Sequence, residues 1–514
     1  MQAGWTRGRA AERAWRCLLV ACWLALAAGC ARQASPPAPA QANPTEQAGT
    51  TTDAAPRIAV LPFAVDGASD DAYLGDGLAE QLAATLSRVP GIVVLSPEST
   101  FRFRDTGELN SVIAGQLSAT HVLRGSVARE GEALKVGVRL LRGDDGQAAF
   151  ARDVQRLPGK LFEMQDDIAA ALTEALGRRL PDTDAQDERP PGGSVQAYEA
   201  LLKGNLAARG NDIFSARQAV DAYALAASLD PAWAHARARL ALARIQQAQR
   251  FPLDAAQARA EGDLARREAA AALRMAPGSA EAHRAQAAWL GSVALDQAGA
   301  LQETREALAL RPNDASLLHA LGMQQTALGQ LREAASSLRQ ALDLNPLAAP
   351  MLYNLGSVYL GLADYAQAEH MLRRALALEP SLPLVRAFLA MAVFQQGRTG
   401  EAIAVAEKEP AALWRRYALS MAAWADGDRA RAEGELQALI REQGEEAATQ
   451  IAGIYAQRDD REAMFHWLGV ARDSGDPGIV EIRYMPFVSR YADDPRFIAL
   501  ARELDLLPEP GAPE

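Results

Sequence analysis

The pattern of apolar and polar positions divides the chain into a region of short strands and helices followed by a long helical region. The first region opens with Arg57 to Phe63, a short apolar run closed by a proline, and Leu78, Leu82 and Leu86 then recur at intervals of four. Short apolar runs between turn residues predict buried strands, and leucines at helical spacing predict amphipathic helices. The resulting order of elements, βαβαβββα, predicts a compact α/β domain.

The boundaries of these elements follow from the turn residues between them. The sequence Gly143-Asp144-Asp145-Gly146 and the residues from Glu130 to Glu132 mark two turns of an antiparallel meander. We predict strands at Arg57–Phe63, Ile92–Leu95, His121–Arg129, Leu134–Leu141 and Ala148–Val154, and helices at Leu74–Val89, Leu109–Leu117 and Leu161–Leu180.

The second region repeats with a fixed period. Pro277, Pro312, Pro346 and Pro380 each follow the end of a predicted helix, and their spacings are 35, 34 and 34 residues. This is the period of tetratricopeptide repeats, in which each unit is a pair of helices. Pro231 precedes Pro277 by 46 residues, so an insertion lengthens one helix pair. Signature positions are filled by Leu318, Leu321, Gly322, Ala334, Leu338 and Ala341, and by Leu352, Leu355, Gly356, Tyr359, Ala368, Leu372 and Ala375.

The repeat pattern decays after Pro380 but helical periodicity continues. We expect further helix pairs from Leu413 to Arg441 and from Ala447 to Arg472. The last part, from Met485 to Leu504, is predicted to contain a capping helix, because the final repeat of a solenoid needs its apolar face covered.

The amino terminus predicts export and a lipid anchor. Arginines up to Arg16 precede an apolar run from Cys17 to Ala28, which is too short to span a membrane but fits the core of a signal peptide. Leu26 to Cys30 then resembles the lipobox of bacterial lipoproteins, which implies cleavage before Cys30 and acylation of that cysteine. The alternative is an ordinary secretory signal with an incidental cysteine.

The segment that follows Cys30 is predicted to be a tether. It contains almost no large apolar residue up to Pro56, so it cannot bury enough surface to fold. Ala31 is compatible with transfer to the outer membrane facing the periplasm, with the inner membrane or the cell surface as alternatives. Beyond Cys30 the sequence has no cysteine, which excludes an internal disulfide and a cysteine-ligated metal in that part.

The first module resembles the TolB amino-terminal-like domain, which precedes tetratricopeptide repeats in many bacterial proteins, some of them labelled as adenylate-cyclase-associated. The resemblance is carried by Ile58–Phe63, Leu74–Leu78, Leu86–Gly91, Val122–Val127 and Phe162–Asp166. It implies an α/β fold without implying an activity, since the cyclase label belongs to catalytic domains for which this sequence shows no motif.

The lack of catalytic motifs in the sequence favours a protein that is not an enzyme and needs no cofactor or metal. The sequence has no phosphate-binding loop, no zinc-binding run of histidines and no Gly-x-Ser-x-Gly elbow. Asp70 and Asp71, or Asp76 and Glu80, form pairs of carboxylates, but we interpret them as loop and helix-start residues. The net charge of −11, without a cationic cluster after residue 30, argues against nucleic acid.

Binding is the better place to look for function. The first helix of each repeat lines the concave wall of such solenoids, and counting from the prolines predicts a partner-binding groove at Trp289, His319, Met323, Tyr353 and Ser357. Alternatively, some of these side chains simply pack between helices. A basic clamp for a carboxy-terminal peptide is disfavoured, because its places are occupied by Ala285, His319 and Tyr353.

These observations predict a lipid-anchored, non-enzymatic scaffold whose repeats bind an envelope protein or peptide, in an oligomeric state that the sequence does not define. The alternatives are an activator of an envelope enzyme such as a peptidoglycan synthase, and an accessory of a hydrolase or cyclase. We predict a signal peptide at 1–29, a tether at 30–56, the α/β domain at 57–181, a linker at 182–194, repeats at 195–410, degenerate repeats with a capping helix at 411–507 and a tail at 508–514.

Overall fold

A computed structural model describes residues 55–66, 71–180, 188–251, 254–504 and 506. These residues belong to two compact units, one within residues 28–183 and the other from residue 184 onwards. The first is a small α/β unit and the second is all-helical, so the predicted fold class is confirmed. The predicted signal peptide, Cys30, nearly all of the tether, Asp70 and the tail lie outside the described residues, and the domain boundaries placed there stay predictions.

The α/β unit contains six strands and four helices among the described residues. The strands are β1 (Arg57–Val60), β2 (Ala64–Asp66), β3 (Val93–Val94), β4 (His121–Glu130), β5 (Ala133–Arg142) and β6 (Ala148–Arg156). The helices are α1 (Ala72–Ser87), α2 (Pro97–Thr100), α3 (Asn110–Leu117) and α4 (Leu161–Ala175).

The sheet combines parallel and antiparallel pairing. Its order is β3-β1-β4-β5-β6, with β2 also paired to β4, and β1 runs parallel to both β3 and β4. Strands β4, β5 and β6 form the antiparallel meander that the turn residues predicted. Packing is tight where the chain passes Phe63, because a Cβ on Gly125 would lie 2.4 Å from its ring.

Two short elements were not predicted. The first apolar run is interrupted after Val60, and the chain pairs again as β2, where Ala64 lies opposite Ser126. Helix α2 begins at Pro97, where the hydroxyl of Ser96 accepts a hydrogen bond from the backbone of Glu98 at 3.3 Å. Serine before a proline at the first helical position is a strong helix start, although it specifies only one turn here.

The helical unit contains eight pairs of helices within the part of the chain that the structure describes. The first helices of the pairs are α5 (Val195–Ala208), α7 (Ala234–Arg250), α9 (Ala280–Trp289), α11 (Ala315–Ala327), α13 (Ala349–Gly361), α15 (Val385–Phe394), α17 (Ala412–Asp426) and α19 (Ala448–Gln457). The second helices are α6 (Ile213–Leu229), α8 (Ala255–Met275), α10 (Gln297–Leu310), α12 (Leu331–Leu344), α14 (Tyr365–Leu378), α16 (Thr399–Ala406), α18 (Arg429–Gln443) and α20 (Arg461–Ser474).

Small residues at the repeat positions let the paired helices approach closely. A Cβ on Gly322 would lie 2.7 Å from Cγ of Leu338, and a Cβ on Gly356 would lie 2.7 Å from Cγ of Leu372. The same contact therefore recurs in successive pairs, which is the basis of a repeat solenoid. The predicted insertion lies in the pair of α7 and α8, and α8 has 21 residues.

Aspartates fix the starts of many of these helices. Asp212, Asp254 and Asp314 each accept hydrogen bonds from two backbone amides in the first turn of the helix that follows. Amides at a helix start have no partner within the helix, so a carboxylate at this position stabilises it by roughly 1 kcal/mol.

The carboxy-terminal part differs from a simple cap. A helix, α21 (Pro495–Glu503), packs against α20, since the Arg496 guanidinium pairs with Glu462 at 3.0 Å. Before it, residues 477–491 form only two short 3-10 turns, Pro477–Glu481 and Ser489–Tyr491. We call residues 477–491 the inner segment, because it runs along the first helices of several pairs, as described below.

Candidate functional site

The inner face of the helical unit is formed by side chains that recur at the repeat spacing on the first helices. Arg239, Arg284, His319, Tyr353 and Phe388 follow one another at intervals of 45, 35, 34 and 35 residues. Trp414 and Tyr417 on α17 continue the row. We use the name inner face for these seven residues and Glu281. Along this row the side chains change from guanidinium groups to aromatic rings.

The carboxy-terminal half of the inner face is a row of rings in contact. The Tyr353 and Phe388 rings meet edge to face with centroids 5.3 Å apart, and the Phe388 and Trp414 rings are 5.6 Å apart. Tyr417 meets Trp414 edge to face at 6.0 Å. Such pairs contribute about 0.5 to 1.5 kcal/mol beyond the burial of their surface. Tyr353, Phe388 and Trp414 are only half-buried, so part of each ring remains accessible.

The amino-terminal half is a network of charges around Glu281. This carboxylate is buried, and one oxygen lies 3.3 Å from Arg239 and 3.4 Å from Arg284. Burial by itself would raise the pKa of Glu281, but Arg284 and Arg239 outweigh it and lower the pKa below the ordinary range. The guanidinium of Arg239 also donates to the Tyr223 hydroxyl at 3.0 Å. The charges of this half are therefore satisfied within the molecule.

Part of the predicted linker contributes to this half. Glu188 is buried and forms an ion pair with Arg311, and the backbone amide of Gly192 donates to Asp230 at 2.8 Å. Residues 188–193 thus pack onto the first repeats and do not form a free linker.

The structure places the predicted groove residues in different surroundings. Tyr353 lies in the aromatic row, and His319 accepts a hydrogen bond from the Asn354 amide at 2.9 Å. Burial lowers the pKa of His319 to about 4, so the ring is neutral at physiological pH. Met323 is 39% exposed, and Ser357 is half-buried on α13. Whether these residues bind a partner stays a prediction.

Trp289 lies in different surroundings from the other predicted groove residues. Its indole nitrogen donates to the carbonyl oxygen of Gly262 on α8 at 3.2 Å, and the side chain is half-buried. The insertion that lengthens α8 supplies this partner, so Trp289 packs against a second helix. The structure does not bring it to the row of Tyr353 and Phe388.

A correction concerns the position assigned to Ala285. Ala285 is fully buried between helices, and the neighbouring Arg284 occupies the inner face instead. Pro277 and Pro312 are 35 residues apart, not 34, and this spacing places residue 284 instead of residue 285 at the position of His319. The inner face therefore does carry arginines, although Glu281 neutralises part of their charge.

Phe388, Trp414 and Tyr417 were missed by the sequence reasoning. Phe388 could have been found, because it follows Tyr353 by 35 residues. Trp414 follows Phe388 by only 26, since α16 is a short helix of eight residues, and no fixed period reaches it.

The inner segment lies along the first helices and contacts several repeats. The Arg483 guanidinium donates to the carbonyl oxygens of Ala327 and Leu328 at the end of α11. Phe487 stacks on Phe394 of α15 with centroids 6.4 Å apart, and Met485 lies so close to α19 that a Cβ on Gly453 would be 2.7 Å from its Cε atom. The segment thus contacts the first helices of three pairs that are not consecutive along the chain.

Two carboxylates beside the aromatic row have no cationic partner among the described residues. Glu481 is an exposed residue, but the helices around its carboxylate partly desolvate it, and this desolvation, together with the charge of Asp476, raises its pKa to about 7. Burial and the charge of Glu481 raise the pKa values of Tyr353 and Tyr417. Glu409 is buried, and its Oε2 has no hydrogen-bond partner in the described part.

One carboxylate of each pair considered as catalytic is engaged in an ion pair. Asp71 holds Arg129 with two contacts, at 2.9 and 3.0 Å, and the buried Asp76 pairs with Arg104. Within the ranges given above, no group of three or more metal-ligating side chains comes together. None of the helices described there is both long and apolar enough to cross a bilayer.

Comparisons with known proteins agree with the repeat reading. A family model described as tetratricopeptide repeat matches residues 319–362 and 353–414. The helical unit is therefore a solenoid of the tetratricopeptide type.

One curated relative is a protein named putative adenylate cyclase 3 from Rhizobium meliloti (strain 1021). It is 27% identical over 192 residues, which are 37% of this chain and 32% of the relative. The chain thus spans about a third of the length of that relative.

Two solved structures of similar proteins also match. The structure of PilF from Pseudomonas aeruginosa is 23% identical, with a TM-score of 0.35, over 42% of this chain and 94% of that one. PilW, described as a type IV pilus biogenesis factor, is 19% identical, with a TM-score of 0.34, over 40% of this chain and 93% of that one.

Proposed function

We propose that this chain is a non-enzymatic protein-interaction scaffold, anchored by lipid in the bacterial envelope, whose solenoid binds a segment of a partner protein. The observation that carries the proposal is the row formed by Tyr353, Phe388 and Trp414, three large rings half-exposed on one face of adjacent repeats. Large rigid rings bury much surface at little cost in conformational entropy, which is why they dominate binding sites.

The solenoid provides the rigid support that such a site needs. Successive first helices hold the rings at fixed separations, and the close contact at Gly356 leaves little freedom for α13 to shift. A binding segment would therefore meet a surface that is already formed, so little of the binding energy is spent on ordering it.

The test is a double substitution, Tyr353→Leu with Phe388→Leu, in full-length chain purified in detergent. Binding of envelope proteins is followed by cross-linking and mass spectrometry. We expect cross-links to one partner segment in the wild type and their loss in the variant. The control is Phe214→Leu, because Phe214 is 71% exposed on α6, a second helix. Cross-links that persist unchanged in the double variant would remove the aromatic row from the binding site.

The lipid anchor is a separate part of the proposal. It is supported by the short apolar run and the small residues that precede Cys30 in the sequence. Cys30→Ser should release the chain from membranes and abolish labelling with palmitate, whereas Cys22→Ser should do neither. Continued membrane fractionation of Cys30→Ser would contradict the anchor. The outer membrane, facing the periplasm, is the location that we propose.

A role as accessory of an adenylate cyclase is the second candidate function. It is favoured only by the name of the curated relative, of which the chain spans about a third. Adding the purified chain to a cyclase from the same cell and measuring cyclic AMP would test it. A change in cyclase activity that survives Tyr353→Leu with Phe388→Leu would favour this candidate over the scaffold. Activation of another envelope enzyme, such as a peptidoglycan synthase, can be assayed with the same variants.

A further inference from the structure

The carboxy-terminal half of the inner face combines aromatic rings with unpaired negative charge. Glu481 is an exposed residue whose charge acts on the phenols of Tyr353 and Tyr417, and it makes no ion pair among the described residues. The arginine nearest to it in sequence, Arg483, is taken up by backbone carbonyls at the end of α11. An exposed carboxylate without an ion-pair partner is available to a cationic ligand.

Glu409 adds to the negative potential at the same place. Its Oε1 accepts from the backbone amides of Leu384 and Ala411 at 3.2 and 3.1 Å, and its Oε2 is buried without a partner in the described part. The charge of Glu409, like that of Glu481, acts on the phenol of Tyr353. Two carboxylates therefore face the aromatic row from different elements of the chain.

We infer that this half of the inner face binds an extended peptide through a lysine or arginine side chain, held between the aromatic row and Glu481. The faces of aromatic rings attract cations, and a carboxylate at their edge supplies the opposite charge. The inference rests on the proposed function and specifies the chemistry of its partner. The charges are the opposite of those in the basic clamp considered at first: here the protein supplies the negative charge and the peptide the positive one.

The ionisation of Glu481 provides a second signature. The titratable groups that face it are Asp476 and the phenols of Tyr353, Tyr417 and Tyr484. Because its pKa is raised to about 7, the carboxylate is largely protonated at pH 5.5 and ionised at pH 8. A cationic side chain should bind more tightly at pH 8, whereas a neutral anchor should show no such difference.

The experiment is a selection of random twelve-residue peptides displayed on phage against the full-length chain in detergent. We expect the enriched peptides to share a lysine or arginine at one position. A synthetic, amidated version of an enriched peptide should lose affinity about tenfold when norleucine replaces that residue, the typical effect of losing one charge-assisted contact. The affinity of the parent peptide should fall between pH 8 and pH 5.5.

Two variants separate the possible outcomes. Glu481→Gln removes the charge and keeps the shape, and it should weaken the parent peptide about tenfold. Its matched control is Glu333→Gln on the exposed surface of α12. If peptides are enriched and lost in Tyr353→Leu with Phe388→Leu, but show no basic position and ignore Glu481→Gln, the inference is wrong and the proposed function stands. If no peptide is enriched, both the inference and the proposed function are wrong.

Discussion

The two halves of the inner face are organised by different interactions. In the amino-terminal half, Glu281 is held between Arg284 on its own helix and Arg239 on α7. In the carboxy-terminal half, rings from three first helices touch one another, and the inner segment covers part of the wall. The same repeat positions thus serve ionic pairing at one end and apolar contact at the other.

This difference shows that a repeat scaffold fixes positions without fixing their chemistry. The spacing that places Arg284 also places His319 and Tyr353, because the backbone contacts of the pairs are the same. In the charged half the partners are already satisfied, so a ligand would have to break ion pairs. In the aromatic half the rings and Glu481 remain available, and we therefore place the binding site there.

The largest expected effect comes from weakening the attachment of the inner segment. Ile482 is fully buried, so Ile482→Ala should destabilise the carboxy-terminal repeats by about 3 kcal/mol. Hydrogen exchange measured by mass spectrometry should show lost protection in α13 to α19 and little change in α5 to α9. The control is Val480→Ala, which alters a residue that is 41% exposed. Equal loss of protection in both halves would mean that they unfold as one unit.

A smaller effect is expected from the charged half. Glu281→Gln removes the charge that Glu281 presents to the partly buried Arg239 and Arg284, which should cost about 2 kcal/mol. The loss of protection should now be confined to α7 to α10, the reverse of the previous pattern. Glu333→Gln changes the same charge on an exposed surface and serves as the control. A variant as stable as the wild type would show that these ion pairs do not hold the amino-terminal half together.

The smallest effect concerns His319, at the junction of the two halves. Because burial lowers its pKa to about 4, the unfolded chain binds a proton at this residue at a higher pH than the folded chain does. This contribution to stability is present above about pH 6.5 and is lost as the pH falls towards 4. Urea unfolding at pH 7 and pH 4.5 should show a loss about 1 kcal/mol larger for the wild type than for His319→Gln. Equal losses would show that His319 takes up its proton at the same pH in the folded and the unfolded chain.

The sequence predicted the repeats well because their packing is local. Gly322 and Gly356 are needed where paired helices touch, and those contacts join residues less than one repeat apart. The antiparallel strands were equally accessible, since the turn at Gly143 to Gly146 connects neighbours along the chain. Strand β2 was not predicted, because a strand of only three residues is too short to show the alternation of apolar and polar positions that predicts a strand.

The inner face was harder to predict because it depends on contacts between distant segments. His319 and Tyr353 could be counted from the prolines, whereas the hydrogen bond of Trp289 to Gly262 on the lengthened helix α8 could not be foreseen. Glu481 gave no signal in the sequence, since its importance arises only when residues 477–491 fold back onto the first helices. The repeat period does not predict that a later segment folds back onto the first helices.

The hydrogen bonds of Arg483 have a mechanical consequence. A solenoid whose repeats touch only their neighbours behaves as a spring, which stretches easily and frays from its ends. Arg483 joins Leu328 across 155 residues of chain, and a further hydrogen bond reaches Leu506 at 2.8 Å. The inner segment therefore links repeats that would otherwise be connected only through their neighbours. We expect the last repeats to resist pulling together and then to yield in a single step.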